Sequence, residues 1–421
     1  MKQKLPPLPR VLFPVALAGL VLNVSPLVAG GGSTNTFKKP GFYKDDFRLL
    51  PEIEVTGYFD DNIYATKQAR ESDFITQVSP SLAIDSLWDV HRLEFDVGAH
   101  LGRYTDASSE DYDDYWLNGE GSYELNEQHQ IYLSGSYSRN HEGRDSKESG
   151  SLQIDEPTTY DQFEGQLGWY RQAGLSSAKF GVTYEQLDYD NVGGLYNDDR
   201  DRHLTGLGLR LGYEMSPESQ LYAQGVINRR DYAENLDAYG YAKDSEGFTG
   251  LIGLTRRFSK GNRIDAYIGR FYQDYDDSRF DTVNDWNFGL DLRWYPAART
   301  QLKALLERTQ NETTEIGSSS YLSTDWDLQI DQKLTADTVG YVGFNYAVAE
   351  FQDVGREDKA QSLSLGVKYY ANPWVMLSGG FRRVDNDSND INQVSPVQES
   401  YDFKQNLVFL NLQVRLAPKA P

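Results

Sequence analysis

The chain of 421 residues contains no cysteine and only five histidines. The absence of cysteine excludes disulfide bridges, thiolate zinc sites and thiol catalysis together. Basic residues are also scarce, because 41 lysines and arginines stand against 63 acids and leave a net charge of -22, which argues against nucleic acid as a partner. The hydrophobic fraction of 39% is too low for a membrane protein built from helices. A barrel is compatible with it, since only alternate residues of each strand meet lipid.

The N-terminal residues have the features of a secretory signal. Three basic residues precede the apolar run Val11–Leu22, and small residues follow at Val28–Gly30. The run is too short to cross a membrane with stop-transfer flanks, and no cysteine follows that could carry a lipoprotein anchor. The sequence therefore predicts a signal peptide over residues 1–30, with cleavage after Ala29 and cleavage after Gly30 both compatible with the pattern.

The rest of the chain is dominated by segments in which polar and apolar residues alternate. Apolar side chains occupy every second position from Trp286 to Trp294, and the same alternation recurs over Leu363–Tyr370 and Val408–Leu416. A period of two indicates a β-strand. For a strand tilted by about 40°, the two tryptophans lie roughly 20 Å apart along the membrane normal. This distance is close to the spacing of the aromatic girdles of outer-membrane barrels.

About 18 such strands can be counted, the first predicted over 51–64 and the last over 401–417. Short connections such as Ser216–Pro217 alternate with longer ones rich in Asp, Asn, Ser and Gly. This asymmetry predicts an all-β fold, a transmembrane antiparallel barrel of the bacterial outer membrane with short periplasmic turns and longer external loops. The predicted organisation is a periplasmic lead-in at 31–50, the barrel at 51–417 and a short tail at 418–421.

Barrels of this size enclose an aqueous channel, so the polar face of each strand should line a pore unless loops fold inward. Strand alternation places basic and acidic residues on that face, with acids dominant in the early strands and arginines prominent in the late ones. A lumen of this kind could orient a polymer through carboxylates, guanidinium forks and tyrosine rings. Cross-strand pairing that only stiffens the wall is the structural alternative. The candidate pore-lining and substrate-contact residues are Arg210, Arg293, Arg382, Arg415, Lys368 and Tyr370.

Aromatic residues make up 13% of the chain. Girdle positions near strand ends account for many of them. Five tryptophans are placed in the girdles by this interpretation: Trp116, Trp169, Trp286, Trp294 and Trp374.

Four segments carry a family resemblance: Pro51–Tyr64, Ser72–Leu82, Gly102–Thr105 and Tyr112–Tyr115. Together they resemble the putative β-barrel porin 2 family, whose members often belong to exopolysaccharide synthesis systems. The likeness is strongest over residues 51–145 and continues downstream mainly as the rhythm of hairpins. The family has no catalytic motif, so no residue role is carried over.

The resemblance implies a channel that exports an exopolysaccharide or capsular polysaccharide. It also implies a periplasmic polysaccharide export protein as a partner, beside outer-membrane lipids, lipopolysaccharide and the barrel assembly machinery. The alternative that the residues leave open is a general or small-solute porin. Deletion should abolish the secreted polymer in the first case and change only solute permeability in the second.

An enzyme is the third possibility, because some outer-membrane barrels are hydrolases. Of the histidines, His100 shares a strand face with Glu94 and Asp96 and should face the lumen. No Ser–His–acid grouping is visible locally in the sequence. We therefore expect no catalytic activity, no cofactor and no metal site.

Overall fold

The structure is a computed structural model that describes residues 41–147, 156–258, 261–389 and 401–416. The predicted signal peptide (1–30), the start of the predicted lead-in and the predicted tail (418–421) lie outside these residues. Among the described residues, no helix has the length and apolarity that a membrane crossing requires. The described part of the chain forms nineteen strands: β1 Phe42–Lys44, β2 Phe47–Asp60, β3 Asp73–Ser86, β4 Arg92–Tyr104, β5 Tyr112–Asn126, β6 His129–His141, β7 Thr159–Ala173, β8 Ser176–Tyr189, β9 Arg202–Ser216, β10 Ser219–Tyr232, β11 Ser245–Arg257, β12 Arg263–Tyr275, β13 Val283–Ala297, β14 Thr300–Asn311, β15 Tyr321–Lys333, β16 Thr338–Phe351, β17 Glu357–Asn372, β18 Val375–Ser388 and β19 Phe403–Arg415.

The strands β2 to β19 close into an antiparallel barrel of 18 strands, as predicted. Each pairs with the next along the chain, and β19 returns to β2 from Leu407 opposite Asp60 to Arg415 opposite Glu52. The short β1 pairs only with the first residues of β2. Closure leaves no open sheet edge in the wall, which is the condition for a sheet to span lipid.

The first barrel strand is the main correction to the predicted boundaries. It was predicted over 51–64 but runs from Phe47 to Asp60, so the end of the predicted lead-in belongs to the barrel. Proline has no N–H to donate to a ladder, yet Pro51 does not mark the start of the strand. In the structure Pro51 lies inside β2 opposite Leu82, and its carbonyl accepts a hydrogen bond from the Leu416 N–H at 2.8 Å.

The two faces of the wall differ as the alternation predicts. Large apolar side chains are exposed on the outside, for example Trp286 at 50%, Trp294 at 48% and Leu410 at 68%. On the inside, several aromatic rings lie flat against a glycine of the neighbouring strand. A Cβ added at Gly98 would come within 2.2 Å of the Trp116 indole. Glycine at this position therefore makes room for an inward tryptophan.

Connections at the two ends of the barrel are unequal. At one end they are short, as in the turn between β7 and β8, where Gly174 adopts a φ of +60°. At the other end they are longer, for example from β8 to β9 and from β10 to β11. The short turns mark the periplasmic end, so both ends of the barrel sequence lie there.

Candidate functional site

A cavity of about 1000 Å³ occupies the barrel interior. Inward side chains of β2 to β9 and of β14 to β19 line it, together with external-loop residues such as Ile63 and Arg144. Most of the lining groups are carboxylates, amides, hydroxyls and aromatic rings. The interior is therefore a polar chamber suited to a hydrated, uncharged or polar solute.

Four of the six predicted residues, Arg382, Arg415, Lys368 and Tyr370, lie on the inward face of neighbouring strands β17 to β19. Arg382 and Arg415 line the cavity. The Arg415 Nε donates to Glu52 of β2 at 2.9 Å, and the Lys368 ammonium lies 5.4 Å from the centre of the Tyr341 ring. Tyr370 follows Lys368 on the same face. These contacts brace the wall. Contact of these residues with a substrate stays a prediction.

The other two predicted residues lie far from this group. The Arg210 guanidinium packs 3.4 Å from the centre of the Tyr222 ring, with Lys179 on the adjacent strand. Arg293 lies between Arg263 and Lys303 in the cross-strand register, near the periplasmic end. The six residues therefore share the inward face without forming one site.

Charge is divided around the barrel. On the inward face of β2 to β7, the basic residues are Arg48 and Arg92, and both are engaged with acids: Arg48 with Asp85, and Arg92 with Glu94 and Glu120. The strands β8 to β14 carry Lys179, Arg202, Arg210, Arg230, Arg257, Arg263, Arg293 and Lys303 on the same face. Lysines and arginines on the inward face are therefore most numerous in the middle strands, and the orienting effect that this distribution would have on a polymer stays a prediction.

A polar and aromatic patch on β3 to β5 was not identified as a site from the sequence. Trp116 Nε1 donates to Asp96, and the Trp116 ring lies 4.7 Å from the His100 ring. His100 Nδ1 lies 2.8 Å from Ser79 Oγ, and Gln77 Nε2 donates to the same hydroxyl at 2.9 Å. We call these residues, together with Tyr112 and Asp114, the β3–β5 patch. All seven line the cavity.

The prediction that Trp116 belongs to a girdle is wrong. Trp116 lies opposite Gly98 and Ser138, and it shares the inward face of β5 with Glu120. The signal is present in the sequence, because Trp116 stands four residues before the acidic Glu120, and residues an even number of positions apart share one face of a strand. Position near a strand end favours the girdle, whereas strand parity places the Trp116 side chain in the lumen.

The contacts around His100 bear on the hydrolase hypothesis. Ser79 and His100 are within hydrogen-bond distance, and Asp114 lies directly across from His100 in the register. The Asp114 carboxylate, however, is bonded to His141 Nδ1 at 2.9 Å. These three residues therefore do not form the relay in which an acid orients the histidine that activates a serine. Among the described residues, no group of three or more potential metal ligands is found.

An external loop enters the cavity. We call residues 142–147, which follow β6, the strap. Arg144 Nε donates to Glu110 at 2.7 Å, Asp145 faces Arg382, and the Lys147 ammonium lies 5.8 Å from the centre of the Tyr321 ring. Tyr321 begins β15, which is half of the ring of strands away from β6. The strap therefore crosses the lumen below the external mouth and narrows it.

Buried ion pairs join the strap and the other external loops to one another at the external end of the cavity. Arg200 pairs with Glu142, and Arg230 pairs with Glu312, which also accepts a hydrogen bond from Tyr232 at 2.6 Å. Each of these charged side chains is at most 7% exposed. Because a buried charge is tolerated only when it is paired, these bonds hold the loops in one arrangement over the mouth.

The strap should make the channel sensitive to pH. Burial raises the pKa of Asp145, while Arg382, His141 and Lys147 act in the opposite direction. A raised pKa means that a proton binds the docked strap more tightly than the free one, so docking strengthens as the pH falls. We expect the single-channel current to decrease on mild acidification, starting above the ordinary pKa of aspartate.

Asp145→Asn should abolish this pH-dependent decrease in current and keep the strap docked at neutral pH. Planar-bilayer recordings check both points, and identical pH curves for the two proteins would contradict them.

Comparison with known proteins gives one family and several similar solved structures. The model of a family described as putative beta-barrel porin 2 matches residues 35–416, which confirms the resemblance seen in the sequence. No curated protein matches the chain. The chain is similar to OccK2 (OpdF) of Pseudomonas aeruginosa, with 11% identity, a TM-score of 0.48 and coverage of 90% of this chain and 100% of that chain. It is also similar to the FrpB iron transporter (F5-1 variant) of Neisseria meningitidis, with 7% identity, a TM-score of 0.49 and coverage of 89% and 83%.

The match to a porin family and the closed barrel agree on the compartment. A barrel with short turns at one end, longer loops at the other and an apolar outer face is built for the bacterial outer membrane. The predicted localisation is confirmed.

Proposed function

Because the chain belongs to the putative beta-barrel porin 2 family, we propose that it forms the outer-membrane channel through which an exopolysaccharide or capsular polysaccharide leaves the cell. The observation that carries this proposal is the cavity lining. Carboxylates, amides, hydroxyls and inward aromatic rings surround one chamber of about 1000 Å³. A sugar chain presents hydroxyl groups and apolar C–H faces, and this lining offers hydrogen-bond acceptors and ring faces for both.

The polymer would be delivered to the periplasmic end of the barrel. We propose a periplasmic polysaccharide export protein as the partner there, since the barrel strands leave only short turns on that side. Outer-membrane lipids and lipopolysaccharide would surround the apolar face, and the barrel assembly machinery would insert the chain. We assign no catalytic step to the protein.

The second candidate is a general or small-solute porin. The observation in its favour is the strap, because a loop that narrows a barrel of this width limits passage to small molecules. An exporter would need the strap to move aside when polymer arrives, whereas a porin would function with it docked. The strap therefore makes the two functions experimentally separable.

A clean deletion tests the proposal directly. We expect loss of the secreted and surface-attached polysaccharide, measured by sugar analysis of culture supernatant and cell washes, and recovery when the intact gene is supplied. A complementing gene that encodes Asp145→Asn is compared with the intact gene. Its strap should stay docked, so it should restore less of the secreted polysaccharide than the intact gene does. An unchanged polymer profile together with reduced uptake of small sugars would establish the porin instead.

A further inference from the structure

We propose that the β3–β5 patch is a saccharide subsite that takes uncharged pyranose units. This inference rests on the proposed export function and specifies its substrate class. The patch consists of Gln77, Ser79, Asp96, His100, Tyr112, Asp114 and Trp116.

Trp116 supplies the platform. Its indole lies against the wall over Gly98, where a Cβ would meet the ring at 2.2 Å, and His100 flanks it at 4.7 Å. The side chain is partly exposed and lines the cavity. The C–H bonds on one face of a pyranose carry slight positive charge, and the face of an indole is negative, so the two stack.

The polar groups around Trp116 are already held in place. Tyr112 donates to Gln77 Oε1 at 2.8 Å, and Gln77 Nε2 donates to Ser79 Oγ at 2.9 Å. Asp96 is fixed by the indole N–H, and Asp114 is fixed by His141. Prealigned groups lower the entropy lost when a ligand binds. The carboxylates keep further lone pairs that can accept hydrogen bonds from sugar hydroxyls.

Charge selects the kind of sugar. Within the described strands β3 to β7, the one lysine or arginine on the inward face is Arg92, and it is engaged with Glu94 and Glu120 near the periplasmic end. Arg144 of the strap is engaged with Glu110. Asp96, Asp114 and Glu164 face the chamber from the same wall. A chain of uronic acids would meet repulsion here, because like charges at short range in a partly desolvated chamber raise the free energy of binding. An uncharged chain meets no such repulsion, and the carboxylates accept hydrogen bonds from its hydroxyl groups.

The test uses the purified full-length protein in planar bilayers, with three hexasaccharides as probes: cellohexaose, hexagalacturonate and the hexamer of glucosamine. We expect cellohexaose to interrupt the current in a concentration-dependent way and hexagalacturonate to leave it unchanged. Trp116→Ala should weaken the apparent affinity by about tenfold, equivalent to about 1.4 kcal/mol. Trp116→Phe, which keeps an aromatic face, should retain most of it. Trp286→Ala changes an exposed tryptophan on the outer face and should have no effect on block.

Three results would overturn the subsite. Hexagalacturonate could block as well as cellohexaose, glucosamine hexamer could be the one probe that blocks, or Trp116→Ala could leave the block by cellohexaose intact. If Trp116→Ala did not fold, as judged by its migration on a gel before and after heating, the comparison of Trp116→Phe with Trp116→Leu would decide. A failure of the proposed export function can be distinguished from a failure of the subsite, because export is tested separately, by whether deletion abolishes the secreted polymer. Cellohexaose block with a normal polymer profile would identify a saccharide-selective porin.

Discussion

Replacing Arg356 by alanine should destabilise the barrel by about 3–5 kcal/mol, because it leaves buried acids without their cation. Arg356 Nε and Nη2 bind Asp358 at 3.1 and 2.6 Å, and its Nη1 binds Glu315. The guanidinium also lies 3.4 Å from the centre of the Tyr401 ring. The side chains of Arg356 and Asp358 are 2% and 1% exposed. Urea unfolding in lipid vesicles, followed by tryptophan fluorescence, would measure the change.

Arg279 offers a matched control. It also binds one carboxylate through two nitrogens, that of Asp277, and lies 4.0 Å from the centre of the Tyr241 ring, but its side chain is 52% exposed. Solvent screens an exposed pair, so Arg279→Ala should cost at most about 1 kcal/mol. Adding Asp358→Asn to Arg356→Ala should restore part of the lost stability. Equal losses for the two single variants would show that burial does not govern the strength of these pairs.

The strand pattern was predictable because it depends on neighbours in the sequence. A wall that meets lipid on one side and water on the other requires a period of two, and the period is visible in every strand. The first barrel strand begins at Phe47, before the predicted start at Pro51. Proline cannot donate to a ladder, but Pro51 faces a site where its carbonyl alone is needed, for the Leu416 N–H.

The packing of the interior depends on residues far apart in the chain and could not be read from the sequence. Arg144 meets Glu110 only because β4, β5 and β6 are neighbours, and Lys147 meets Tyr321 only because the strap crosses the ring. Nothing in the sequence around Arg144 distinguishes an inward loop from an exposed one. Trp116 is the exception, since strand parity alone would have placed it in the lumen.

Replacing Arg144–Lys147 by Gly-Ser-Gly-Ser should raise the single-channel conductance several-fold. The replacement keeps the length of the loop and removes the side chains of Arg144 and Lys147, which engage Glu110 and Tyr321. Without these contacts the strap has no reason to stay in the lumen, because ordering a flexible segment costs roughly 1–2 kcal/mol per residue. A barrel of 18 strands then presents its full aqueous bore.

The matched control is the same four-residue replacement at 67–70, in the exposed part of the external loop between β2 and β3. It also removes one lysine and one arginine, as the strap replacement does, but no acid, so it lowers the net charge by two rather than by one. The conductance should nevertheless stay near the wild-type value. Planar-bilayer recordings give the conductance, and the sensitivity of whole cells to a large polar antibiotic reports the same opening in the membrane.

An unchanged conductance in the strap variant would mean that the narrowest point lies elsewhere in the lumen. An increase accompanied by normal polymer export would mean that the strap sieves small solutes and yields to the polymer, which is the behaviour required of an exporter that must not leak.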